Sequence, residues 1–133
     1  MSKSAIYTAL SAPASVLPGD IIPLGSTIRR FGCNIRQDGN TITIKGKGYF
    51  LVNVSVTAAP TAAGTVTITL NKDGVPITGA TASGSASTAA NPVALPITAI
   101  ARNACDCDSS IISLTLSGQA STVQNVAITV IKL

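Results

Sequence analysis

Cysteine and aspartate alternate in one short stretch, Cys105-Asp106-Cys107-Asp108, whose residue types could do chemistry. If this stretch is extended, the two cysteines point the same way. A ring of such pairs around a threefold axis could bind a soft metal ion or form disulfides between subunits. The spacing is C-x-C rather than the C-x-x-C of zinc sites, and the chain contains no histidine. The sequence therefore favours small, partly buried thiols at the start of a strand.

The two aspartates of this stretch are a second weak candidate for a metal site. Asp106 and Asp108 share a face and could bind calcium if a turn carbonyl joined them. Carboxylates in such positions are more often solvated loop acids, and no other carboxylates lie close together in the sequence. We therefore predict no metal ion and no cofactor.

The chain offers no constellation for catalysis. Histidine, the commonest general base, is absent, and no nucleophile-elbow or phosphate-loop spacing is present. We therefore predict no catalytic residue and expect the protein not to be an enzyme.

Three cysteines leave at least one of them unpaired within a monomer. A disulfide that joins Cys33 to Cys105 or to Cys107 is the covalent alternative. The first ten residues lack the apolar run of a signal peptide, which predicts synthesis in a cytoplasm and argues against this disulfide. Later exposure outside the cell would permit it.

Five cations fall within one stretch of the sequence and define a candidate basic docking patch. The patch could bind nucleic acid or an acidic capsid or subunit. The net charge of +4 is small for a nucleic-acid binder, and few aromatic side chains lie nearby, so a solvated sheet edge that discourages aggregation is favoured. The residues are Arg29, Arg30, Arg36, Lys45 and Lys47.

Composition indicates that part of the surface is covered by other protein. Charged residues make up 11% of the chain, against about 25% in ordinary soluble domains. Hydrophobic residues make up 46% and aromatic ones only 3%, so the core must consist of Val, Ile, Leu and Ala. Copies of the same chain are the simplest cover for such a surface.

Alternation with a period of two runs through most of the sequence and predicts β-strands with one buried face. In the longest such stretch, residues 48–58, Phe50, Val52, Val54 and Val56 share one face. Turn signals at residues 37–40 and 71–74 separate further strands. We predict an all-β, two-sheet antiparallel jelly-roll sandwich. Residues 1–19 are predicted to form an N-terminal arm, and residues 20–133 a single jelly-roll domain.

The last strand is predicted to lie at an oligomer interface. If its alternate residues from Val126 to Val130 face the core, Ile131 and Leu133 face the other way. Apolar residues on both faces are typical of a sheet that is covered on both sides. The predicted interface residues are Val126, Ile128, Val130, Ile131 and Leu133.

Several segments together resemble a known family. They are Gly48-Tyr-Phe-Leu-Val-Asn-Val-Ser-Val, the hairpin Leu70-Asn-Lys-Asp-Gly-Val-Pro-Ile77, the small-residue stretch to Ala90, and Asn125-Val-Ala-Ile-Thr-Val-Ile-Lys-Leu133. Over about residues 20–133 the chain resembles bacterial or phage versions of the tumour-necrosis-factor-like (TNF-like) jelly roll. This group is similar to complement-type globular heads and to the terminal domains of collagen-like spore-surface proteins. The resemblance implies a ten-stranded, two-sheet sandwich, a tight homotrimer, and a role in surface display rather than catalysis.

These observations predict a structural protein that decorates a phage virion as a capsid decoration or head-fibre subunit. Its partners would be itself, as a homotrimer, and capsid or other virion proteins; a membrane and nucleic acid are not expected. One alternative is a recognition module that binds a receptor or glycan through residues 71–74 and 81–91. Another is a spore or cell-surface appendage subunit with disulfides between subunits.

Overall fold

Eleven β-strands make up the fold of the computed structural model, which describes residues 3–133. Within that range no helix is long and apolar enough to cross a membrane. The strands are β1 (Ala5–Leu10), β2 (Ala14–Val16), β3 (Ser26–Phe31), β4 (Ile35–Asp38), β5 (Thr41–Lys45), β6 (Gly48–Pro60), β7 (Gly64–Lys72), β8 (Val75–Ala86), β9 (Val93–Asn103), β10 (Ser109–Gly118) and β11 (Ser121–Lys132).

The strands form two antiparallel sheets that pack face to face. The six-stranded sheet has the order β3-β1-β11-β6-β9, and the short strand β2 also pairs with β11. The five-stranded sheet has the order β4-β5-β10-β7-β8. All pairings are antiparallel, and neighbouring strands in each sheet are mostly far apart in sequence, as the connections of a jelly roll require.

The core lies between the sheets and follows the alternation in the sequence. Phe50, Val52, Val54 and Val56 on β6 are at most 4% exposed, which confirms the predicted inward face. Opposite them, the other sheet contributes apolar residues that are also buried, namely Val66, Ile68, Leu70, Ile112, Leu114 and Leu116. Phe50 is the only aromatic side chain of this core, so β-branched and leucine side chains fill most of the space.

The turn at residues 71–74 is confirmed as the hairpin between β7 and β8. Asp73 and Gly74 have φ angles of 53° and 79°, and two consecutive left-handed residues match the twist of an antiparallel hairpin. The turn at residues 37–40 is likewise confirmed as the hairpin between β4 and β5.

The predicted boundary between an arm and a domain is wrong for the described residues. Strand β1 lies inside the six-stranded sheet, between β3 and β11, and pairs with both. Ile6 and Val16 are 1% and 3% exposed and belong to the core. Residues 3–19 are therefore part of the sandwich, because their alternate apolar residues complete its core; residues 1 and 2 of the predicted arm lie outside the described range.

Two segments connect or extend the strands in ways that matter for the packing. Pro23 interrupts the segment before the edge strand β3, where the amide nitrogen of Ile22 donates to the carbonyl of Leu114 at 2.8 Å. Residues 81–86 form the second half of β8.

Small side chains in β8 allow the two sheets to approach each other at this edge. An added Cβ at Gly84 would overlap Cγ1 of Val93, which belongs to β9 in the other sheet. Small residues in this stretch therefore leave room for the side chains of the other sheet.

We expect Phe50→Ala to lower the free energy of unfolding by about 3–5 kcal/mol, because it leaves a cavity in the centre of the core. Val75→Ala is the control, since Val75 is 65% exposed and its truncation should change stability by less than about 0.5 kcal/mol. Denaturant unfolding would measure both. Equal small effects would contradict the central position of Phe50.

Candidate assembly interface

One row of apolar side chains crosses the outer face of the six-stranded sheet. The register pairs Phe31 with Ala5, Ala5 with Ile131, Ile131 with Leu51, and Leu51 with Ile100. Residues directly opposite each other in an antiparallel ladder point to the same face. Each of the five strands β3, β1, β11, β6 and β9 therefore contributes one apolar residue to the same row.

Two more residues extend this row towards the end of the sheet. The amide nitrogen of Leu133 donates to the carbonyl of Tyr49 at 2.9 Å, so these residues are neighbours beyond Ile131 and Leu51. Leu133 is 68% exposed, Phe31 61% and Ile100 53%. We call the seven residues the apolar belt; they are Ala5, Phe31, Tyr49, Leu51, Ile100, Ile131 and Leu133.

Polar residues bound the apolar belt on the same face. The next row towards the middle of the sheet contains Arg29, Tyr7, Thr129, Asn53 and Thr98. In this row the hydroxyl of Thr98 donates to Oδ1 of Asn53 at 2.8 Å. An exposed apolar patch with a polar border is the usual form of a protein interaction site.

Three of the five residues predicted to form an interface on β11 are buried in the core, and two are exposed. Ile131 and Leu133 are exposed on the outer face, as expected for a contact with another subunit. Val126, Ile128 and Val130 are at most 1% exposed, because their side chains point between the two sheets. These three residues stabilise the subunit itself and cannot contact a neighbour.

Five members of the belt were not predicted as interface residues. Leu51 had a signal in the sequence, since it lies on the otherwise polar side of β6, beside Asn53 and Ser55. Ile100 is similar, because it breaks the alternation that places Leu95 and Ile97 in the core. Leu51 and Ile100 lie in one row with Phe31 and Tyr49 only because of the register between strands, and local sequence patterns do not determine that register.

The cysteines pair differently from either prediction. Cys105 and Cys107 form a disulfide with each other in the turn between β9 and β10, and the exposed Cys33 is free. The stretch is a turn rather than an extended strand start, so the two sulfur atoms meet within one chain. Neither the favoured free thiols of Cys105 and Cys107 nor the alternative disulfide of Cys33 is found.

The same turn accounts for the candidate metal residues. Oδ2 of Asp108 accepts hydrogen bonds from the amide nitrogens of Ala104 and Cys105, at 3.0 and 3.2 Å. Oδ1 of Asp106 accepts one from the amide nitrogen of Lys47 at 3.0 Å. The sulfur atoms of Cys105 and Cys107 lie within 4.8 Å of a carboxylate oxygen of Asp108, but sulfurs that are bonded to each other are not thiolate ligands. Both aspartates hold the turn together.

The five residues of the basic docking patch do not form one uniform surface. Arg36 forms an ion pair with Asp38, in which Nε lies 3.1 Å from Oδ2. Nε of Arg30 donates to the carbonyl of Ile35 at 2.7 Å, and Arg29 lies on the outer face of the six-stranded sheet. Lys45 and Lys47 are exposed near the turn that contains Cys105.

The segments considered for recognition are mostly exposed, but one of their residues has a structural role. Asn71 is only 5% exposed, and its Nδ2 donates to the hydroxyl of Thr115 at 3.2 Å. A groove of about 400 Å³ lies beside it, lined partly by Ser113, Thr115 and Pro76. A second groove of about 380 Å³ lies at the other end, around Pro60 and Ala90.

Comparison with known proteins identifies the fold. No family model matches the chain, and no curated protein is similar to it in sequence. Among solved structures, murine APRIL superposes with a TM-score of 0.69 at 12% identity, over 98% of this chain and 99% of that one. The globular domain of zebrafish complement 1qA protein gives 0.69 at 8% identity, over 97% and 94%. The PRD1 vertex protein P5 gives 0.64 at 14% identity, over 98% and 73%.

These similarities confirm the predicted TNF-like jelly-roll fold. The structure corrects one detail that the resemblance implied, since residues 3–133 form eleven strands rather than ten.

A short hydrogen bond controls the ionisation of Asp38 in the hairpin between β4 and β5. The hydroxyl of Thr43 donates to Oδ2 of Asp38 at 2.7 Å, and Arg36 donates to the same oxygen. The hydrogen bond from Thr43, with a smaller contribution from Arg36, lowers the pKa of Asp38 from its ordinary value of 3.8. Asp38 therefore stabilises the fold above its unfolded pKa, and this contribution is lost as the pH falls through the folded pKa.

We expect Thr43→Val to raise the pKa of Asp38, because it removes the donor to the carboxylate and keeps the shape of the side chain. NMR titration of the Asp38 carboxyl carbon would measure the change. Thr41→Val is the control, since the Thr41 hydroxyl donates to the backbone carbonyl of Asp38 instead. An Asp38 pKa that is the same in the wild type and in Thr43→Val would contradict this assignment.

Proposed function

We propose that this protein is a non-enzymatic structural subunit that assembles into a homotrimer and decorates a phage virion. The observation that carries the proposal is the apolar belt, which spans five strands on one face of the six-stranded sheet. A decoration or head-fibre protein needs such a surface to associate with copies of itself.

The belt suits burial in an assembly because it is both apolar and rigid. Every member lies on a hydrogen-bonded strand or directly beside one, so little conformational entropy is lost when the face is covered. The low content of charged residues, 11%, supports the same role. Contacts between the belt of one copy and a different surface of the next would close into a ring. The resemblance to TNF-like jelly rolls implies that this ring contains three subunits.

The virion part of the proposal is supported by the similarity to PRD1 vertex protein P5. That protein is named as a vertex protein, and its fold matches nearly the whole of this chain. At 14% identity the match concerns the fold, so a position on a phage particle is carried to this chain as part of the proposal. The murine APRIL and zebrafish complement 1qA structures share the fold, and their names carry no virion context.

We expect the double substitution of Ile131→Asp and Leu133→Asp to convert the trimer into a monomer, because it would place two carboxylates in the buried interface. Light scattering would give the solution mass, and circular dichroism would show that the subunit remains folded. Val75→Asp is the matched control: Val75 is 65% exposed but lies on β8 in the other sheet. This single change should leave the trimer intact.

Two results of light scattering, measured with and without a reductant, would contradict the proposed trimer. One is a folded double variant that keeps the wild-type mass. The other is a wild-type polymer that collapses when a reductant is added, which would identify Cys33 as the assembly device and favour the appendage alternative. A trimer that is indifferent to reductant supports the proposal.

We expect the chain to be present in phage particles purified from cells that encode it, in a copy number divisible by three. Quantitative mass spectrometry of density-purified particles would measure the copy number. Cells that express the double variant of Ile131 and Leu133 provide the control, because a monomer should be lost from the particles. Absence of the wild-type chain from the particles would contradict the virion role even if the trimer is confirmed.

A further inference from the structure

One end of the sandwich collects most of the positive charge. At this end β6 begins and β5, β9 and β11 finish. Two backbone hydrogen bonds join the segments, from the amide nitrogen of Lys45 to the carbonyl of Asn34 at 2.8 Å and from that of Lys132 to the carbonyl of Ser4 at 2.9 Å. The amide nitrogen of Lys47 donates to Oδ1 of Asp106 at 3.0 Å. We call this region the cationic end. Its cations are Lys3, Arg30, Lys45, Lys47, Arg102 and Lys132.

The opposite end of the sandwich carries no positive charge. Its connections consist of residues 11–13, 61–63, 87–92 and 119–120, and none of these segments contains a lysine or arginine. Backbone hydrogen bonds hold them together, from Thr61 to Ala120 at 2.9 Å and from Ala90 to Pro60 at 2.7 Å. The charge of the subunit is therefore distributed unevenly along the strand direction.

The two aspartates near the cationic end are outnumbered by its six cations. Carboxylate oxygens of Asp106 and Asp108 accept hydrogen bonds from backbone amides of the turns. Within residues 3–133 the only ion pair joins Arg36 to Asp38, so the six cations of the cationic end have no carboxylate within 4.0 Å. Cations that are concentrated without partners repel each other, and an anionic partner would relieve this repulsion.

We propose that the cationic end is a docking site for an acidic, carboxylate-rich protein surface. Four of its six cations are lysines, whose flexible stems can adapt to carboxylates that are dispersed over a surface. The inference goes beyond the proposed function, because it concerns a single chain and applies to a monomer as well as to a trimer.

Nucleic acid fits the cationic end less well than an acidic protein does. Proteins that hold nucleic-acid strands use grooves lined with cations and aromatic stacking platforms. Here the cations lie on turns and strand ends, and the two grooves described above are lined by no lysine or arginine. The exposed ring of Tyr49 already faces Arg102, whose guanidinium carbon lies 5.8 Å from the ring centroid.

Binding to fluorescently labelled poly-L-glutamate, measured by anisotropy at about 50 mM and about 500 mM salt, tests this inference. We expect wild-type protein to bind at the lower salt concentration and to be released at the higher one. The triple substitution Lys45→Gln, Lys47→Gln and Lys132→Gln should weaken binding at least about tenfold, which corresponds to about 1.4 kcal/mol. The double substitution of Lys45 and Lys47 alone should weaken it in the same direction, and it avoids Lys132, which packs close to Gly48.

The matched control lowers the net charge by the same amount at the opposite end. It consists of Thr61→Asp, Ala63→Asp and Thr88→Asp, all at exposed positions. This variant should bind poly-L-glutamate within about threefold of the wild type, because local charge rather than net charge determines the contact.

Three results would overturn the inference. The first is that wild-type protein does not bind at the lower salt concentration. The second is that the triple aspartate variant of the opposite end loses as much affinity as the triple lysine variant. The third is tighter binding to a DNA duplex of about 20 base pairs than to poly-L-glutamate at equal charge concentration, through the same lysines. That last result would identify nucleic acid as the partner in place of an acidic protein.

Discussion

The register of β11 between β1 and β6 is the constraint on which the other features of this structure depend. Ile131 pairs with Ala5 on one side and with Leu51 on the other, while Val130 pairs with Ile6 and Val52. The first set of side chains lies on the outer face and the second in the core. A slip of β11 by one residue would turn Ile131 inwards and Val130 outwards. The core and the candidate interface are therefore two sides of one hydrogen-bond pattern.

The two faces and the two ends of the sandwich give the subunit distinct surfaces. The outer face of the six-stranded sheet carries the apolar belt, while the outer face of the other sheet carries hydroxyl groups such as those of Thr67 and Ser83, which bond to each other at 2.8 Å. Perpendicular to these faces, the cationic end opposes an uncharged end. The two regions adjoin where Tyr49 of the belt pairs with Arg102 of the cationic end.

Local patterns in the sequence were sufficient for the fold class, the inward faces of the long strands and the principal hairpins. They were sufficient because alternation and turn chemistry act over a few residues: Phe50 to Val56 alternate, and Asp73 and Gly74 accept left-handed conformations. The place of β1 was missed because a six-residue strand has little periodicity of its own. Its position becomes evident only from its pairing with residues 126–131.

Residues of the apolar belt could be predicted only where the pattern of a single strand indicates them. Ile131 and Leu133 could be identified because apolar residues alternate with core residues on one strand. Phe31 and Ile100 could not, since their neighbours in the row belong to strands distant in sequence. The pairing of Cys105 with Cys107 was missed for a related reason, because an extended conformation was assumed where Asp108 closes a turn.

The position of β1 has a consequence for the order of events in the cell. The apolar row needs Ala5 from near the start of the sequence and Ile131 from near its end, so it cannot be complete while the ribosome is still adding residues before position 131. Long-range pairing of this kind forms slowly, because the chain must close a large loop first. Nascent chains on one messenger RNA therefore present no finished belt to each other.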